Sequence, residues 1–80
     1  MRNKDYLEDV CELLHVPDSY ILGQVSKSSI RFECKHSPFV ITCRKGGIVD
    51  VEGYKFCKRY TCSNLYSYVR TVHACFESYK

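Results

Sequence analysis

The clearest pattern in the chain is the alternation Ile30-Arg31-Phe32-Glu33-Cys34-Lys35, in which every second side chain is apolar. That period places Ile30, Phe32 and Cys34 on one face of a strand and Arg31, Glu33 and Lys35 on the other. Tyr20 to Val25 reads as a strand before it, and Phe39 to Cys43 as a strand after it, across His36-Ser37-Pro38. Two shorter strands are predicted at Ile48 to Val51 and Tyr54 to Cys57. Gly46-Gly47 and Glu52-Gly53 offer the positive-φ positions that tight hairpins need. The middle of the chain is therefore predicted to be an antiparallel meander of four to five strands.

On either side of the meander the period becomes helical. Leu7, Val10 and Leu14, with Tyr6 and Leu13 beside them, form one stripe of a helix predicted over 4–15. Asn3 can cap it, and Asp5, Glu8 and Asp9 place negative charge in its first turns. Pro17 marks its end, because the residue before a proline is pushed out of the helical region. Near the C-terminus Leu65, Val69, Val72, Phe76 and Tyr79 step by four and three residues, which predicts a second helix over 63–78. Ser63 or Thr61 can cap it, and Tyr66 and Tyr68 flank its stripe. The fold class is α+β, one domain over 1–80. Both helices are expected on one face of the sheet, leaving the other face to water or to a partner.

Eighty residues leave room for one modest core. With 45% apolar and 26% charged residues the chain reads as globular, not disordered. No apolar run approaches the roughly 18 residues of a membrane span, and no signal-peptide pattern is visible, so no membrane insertion is expected. On that basis the six cysteines are read as free thiols of a reducing compartment, serving as small hydrophobes.

Charge changes the picture more. Residues 1–18 carry two bases and five acids, for a net −3, while residues 19–60 carry eight bases and three acids, for a net +5. A basic middle points to an anionic partner. If Ile30, Phe32 and Cys34 enter the core, Arg31 and Lys35 stand together on the outer face, about 13 Å apart. Lys55 and Arg59 join them if the last strand obeys the same rule, with Tyr60 available for stacking, and Arg44 and Lys45 extend the patch at a hairpin tip. Bases interleaved with aromatics suit single-stranded nucleic acid, with phosphates on the charges and bases on the rings.

Other chemistry is poorly served. Cys34-x-His36 and Cys57-x₄-Cys62 lack the close pairs typical of structural zinc, so no metal is expected. His73 and Cys75 lie two apart on a helix and point in different directions, and His15 and His36 have no nucleophile in register. With no phosphate-binding glycine loop and no paired carboxylates, neither catalysis nor a cofactor is predicted.

Taken together, Asp18, Gly23-Gln24, Ile30-Arg31-Phe32, Phe39-Val40-Ile41 and the Gly47-Ile48-Val49-Asp50-Val51 hairpin resemble a known viral module in order and spacing. It is the small domain that precedes the ubiquitin-like domain and papain-like protease in the multidomain replicase protein of betacoronaviruses, the C-terminal part of the "SARS-unique" region. The resemblance implies a frataxin-like α+β sandwich excised from a viral polyprotein. It further implies a non-catalytic accessory domain that binds single-stranded RNA or modulates RNA binding by a neighbouring domain. Its place would be the host cytoplasm, at the cytosolic face of virus-modified endoplasmic reticulum membranes, and protease activity would belong to another domain. The alternative is a scaffold module contacting neighbouring domains of the same polyprotein. A monomer is expected.

Overall fold

A computed structural model describes residues 6–79. The order is α1 (Leu7–Leu13), β1 (Tyr20–Val25), β2 (Ser29–Cys34), β3 (Val40–Arg44), β4 (Ile48–Gly53), β5 (Phe56–Thr61) and α2 (Leu65–Ser78). The strands form one antiparallel sheet in the order β1-β2-β3-β4-β5, so each hydrogen-bonds to its neighbour in sequence. This is the α+β architecture expected, with the full five strands. The alternation reads directly onto it: Ile30 aligns with Cys43 and Phe32 with Ile41, and these in turn align with Val49 and Val51. All six are buried, in one cluster with Leu7 and Val10 of α1 and with Tyr68, Val72, Cys75 and Phe76 of α2. Both helices therefore cover the same face of the sheet, α2 lying over β3 and β4 with α1 beside it.

Several boundaries differ from the sequence reading, each for a local reason. The first helix ends at Leu13, where the prediction ran to 15, because Leu14 turns extended and the His15 N–H is taken by His73 Nε2 at 3.0 Å. Leu13 is then exposed, not part of the stripe. The proposed cap Asn3 and the first residues of that prediction lie outside the described residues. α2 is capped not by Ser63 or Thr61 but by Asn64, whose Oδ1 accepts from Ser67 N–H at 2.8 Å. Thr61 instead closes β5.

Tyr68, expected to flank the stripe of α2, is fully buried. Its hydroxyl donates to the Arg44 carbonyl at 2.6 Å, which satisfies the polar tip and ties α2 to the β3–β4 hairpin.

The last hairpin is also shifted. Glu52 and Gly53 stay in β4, and the turn falls on Tyr54 and Lys55, with Lys55 at φ 60°. Gly53 is there for space, since a Cβ on it would lie 2.8 Å from the Phe39 ring. At the β3–β4 turn Gly46 and Gly47 do take positive φ, 82° and 79°, as expected. All six cysteines are free thiols, of which Cys43, Cys62 and Cys75 are buried and Cys11 and Cys57 exposed. Burial pushes the Cys43 thiol up to about 12 and that of Cys75 to about 11.

Candidate nucleic-acid interface

The alternation that buries one face of the sheet leaves a polar face on which neither helix packs. Cross-strand pairing sets its middle row as Gln24, Arg31, Thr42, Asp50 and Arg59, one residue from each strand. Arg44 stands on the same face, two residues further along β3 than Thr42. Neighbouring strands lie about 4.8 Å apart, so Arg31 and Arg59 are separated by about 14 Å at their backbones.

Asp50 organises this row. Arg44 Nε reaches its Oδ2 at 2.6 Å, Arg59 Nε its Oδ1 at 2.7 Å, and Arg59 Nη2 its Oδ2 at 3.1 Å. The carboxylate is buried beneath these two guanidiniums, whose side chains remain 46% and 61% exposed. The hydrogen bonds from Arg59 first, and then from Arg44, hold the Asp50 carboxyl below its ordinary value against the opposing effect of burial. Arg44 engages the carboxylate through Nε alone, which leaves both its Nη groups outside the pair. Charge on the cluster of Arg31, Arg44, Arg59 and Asp50 sums to +2, held by short charge-assisted bonds.

The predicted patch is only partly assembled. Arg31, Arg44 and Arg59 share the open face, as the alternation requires. Lys45 sits in the β3–β4 turn at the Arg44 end, its N–H bonded to the Ser28 carbonyl at 3.2 Å. Lys35 lies just past β2, and Lys55 lies in the β4–β5 turn, both at the opposite end of the sheet. Between them and the arginines runs a row of Glu33, Val40, Glu52 and Cys57. The expectation that Lys55 continues the arginine patch is thus overturned, because β5 begins at Phe56 and Lys55 belongs to the turn.

Tyr60 is a second correction. It aligns with Val49 on the helix-covered face, half-buried, with its hydroxyl 3.1 Å from that of Tyr79. It cannot stack on a strand bound across the open face. The exposed aromatic near the lysines is Tyr54, 78% exposed, with Lys55 Nζ 5.5 Å from its ring centre. Sequence reasoning missed Asp50, although its signal was present as a lone acid between Val49 and Val51 in a strand otherwise read for its apolar side.

The metal and nucleophile candidates also separate. Cys57 is on the open face, while Cys62 is buried on the helix side with its Sγ 3.3 Å from Thr71 Oγ1. Among the described residues no three metal-ligating side chains converge. His73 is bonded to the His15 backbone, and Cys75 is buried. Among the described residues no helix is long and apolar enough to cross a membrane. The chain matches no family model, no curated protein and no solved structure.

Proposed function

We propose that this domain is a non-catalytic accessory module of a coronavirus replicase protein that binds single-stranded RNA by its phosphates on the open face of the sheet. The observation that carries the reading is the pair Arg44 and Arg59 held on the buried Asp50 carboxylate, with Arg31 in the same row. Guanidiniums fixed in this way lose less freedom on meeting a phosphate than free side chains do, and their planar forks match phosphate oxygens. The open face has no aromatic in its rows, so recognition rests on the backbone of the RNA and discriminates little between bases. The viral setting, including the cytosolic face of modified endoplasmic reticulum membranes, rests on the sequence resemblance.

Titration with a short single-stranded RNA at several salt concentrations tests the reading. Three phosphate contacts give a slope of log affinity against log salt of about −2. Replacing the exposed Arg31 by alanine, which breaks no ion pair with Asp50, is expected to lower the slope by about 0.7. Binding that ignores salt, or a slope unchanged in Arg31→Ala, contradicts it and moves the assignment to a protein-interaction module.

A further inference from the structure

An open sheet has two edges, and this chain treats them differently. β5 carries Lys58 and Arg59, with Lys55 in its turn, and charges of that kind keep a further strand from adding. β1 reads Tyr20-Ile21-Leu22-Gly23-Gln24-Val25, with no charge at all. Among the described residues it pairs with β2 alone and leaves Ile21, Leu22 and Val25 47%, 58% and 60% exposed. The backbone groups on the free side of such a strand are met by water or by another strand.

We infer that β1 is an interface whose occupant is β1 of a second copy of this chain, added antiparallel across a two-fold axis so that the sheets join into one. The register carries this assignment. β1 has a bulge between Leu22 and Gln24. Before it Tyr20 and Leu22 align with Cys34 and Phe32, and after it Val25 aligns with Ile30, so these three share the helix side. Ile21 and Gln24 align with Glu33 and Arg31 and share the open side.

A two-fold axis perpendicular to the sheet keeps every side chain on its own face, so residues brought opposite one another must share a face. In an unbroken six-residue strand, pairing the first residue with the last violates that condition. The bulge removes the conflict. Tyr20 meets Val25 of the second copy on the helix side, Ile21 meets Gln24 on the open side, and Leu22 and Gly23 lie at the axis.

The same register brings Asp18 of each copy beside Lys27 of the other. These are the charged residues nearest the two ends of β1, and both are exposed. Two pairs of opposite charge therefore flank an uncharged centre, a self-complementary arrangement that a two-fold interface requires. A single short strand pair is small beside permanent interfaces, so the dimer forms and dissociates with concentration.

Analytical ultracentrifugation of the wild type and of Asp18→Lys, Lys27→Asp and the double exchange tests the inference. Between about 10 µM and about 1 mM the wild type is expected to pass from monomer to dimer. Each single exchange is expected to raise the dissociation constant about fivefold or more, and the double exchange to return it to within about twofold of wild type. Amide hydrogen exchange is expected to slow along β1, not along β5, as concentration rises. Circular dichroism of each variant is the check that the fold is kept, and the double exchange serves as an internal control. A chain that stays monomeric throughout overturns the inference, as does a dimer indifferent to both single exchanges or one that protects another element.

Discussion

At the scale of single residues, Asp50 is the side chain on which most depends. Its alternating position sends it to the open face, yet it is only 6% exposed because two guanidiniums close over it. Its carboxyl is depressed below the ordinary value of 3.8, chiefly by Arg59. A depressed folded-state pKa contributes stability that is fully present above the unfolded value and is lost as pH falls through the folded one. The mutant Asp50→Asn lacks that contribution. It is expected to be less stable than wild type by about 1 kcal/mol at neutral pH, since both guanidiniums are partly exposed and solvent screens them. Thermal unfolding followed from neutral pH into strong acid is the measurement, and the two stability curves are expected to converge below the ordinary carboxylate range. The mutation also frees Arg44 and Arg59, so RNA affinity is expected to change even where the fold holds. Tyr68 shows the opposite limit of legibility. Hydropathy placed it at the margin of a stripe, but its ring fills the core and its hydroxyl finds the Arg44 carbonyl, a partner remote in sequence that no local pattern announces.

At the scale of elements, the strands with one buried face were readable and the turns less so. β2 alternates because one face meets helices and the other water, and its bounds follow from that alternation. The β4–β5 hairpin was misplaced because a glycine has two uses, and sequence does not say which applies. Gly53 makes room for Phe39, while the positive φ falls on Lys55. Two substitutions separate these uses. Gly53→Ala is expected to cost about 1–3 kcal/mol through the clash with the Phe39 ring. By contrast, Lys55→Gly is expected to gain about 0.5–1 kcal/mol by relieving the left-handed conformation. Equilibrium urea unfolding of both variants checks the signs, and an equal loss in the two would restore Gly53 as the turn residue. The same shift of the turn explains why Lys55 was wrongly joined to the arginines. Tyr60 was read as available for stacking because the last strand was ended at Cys57, whereas β5 runs on to Thr61 and its alternation carries Tyr60 to the helix side. The end of α1 was misjudged because a tertiary partner, His73, takes the His15 N–H, whereas the cap of α2 is a local signal at Asn64 that was passed over for its neighbour Ser63.

At the scale of the whole molecule, the chain separates its tasks by face and edge. The helices and the buried thiols of Cys43, Cys62 and Cys75 occupy one side of the sheet, Arg31, Arg44 and Arg59 the other, and the two edges differ in charge. The basic middle of the sequence was legible as a net +5 over 19–60, but that sum hid the division of the open face by Glu33 and Glu52. Counting charges cannot show such a division, because it arises from register. The central claim is that RNA meets the row of Arg31 and Arg59, with Arg44 beside it, and not the lysine-bearing turns or the helices. The most direct measurement is a nuclear magnetic resonance titration of the isotope-labelled domain with a short single-stranded RNA, at a protein concentration low enough to keep it monomeric. Amide and arginine side-chain signals of Arg31, Thr42, Arg44 and Arg59 are predicted to shift together and saturably, while α2 and the core stay unchanged. Shifts confined to α2 or to the turn at Tyr54 and Lys55, or none at all, would contradict the account.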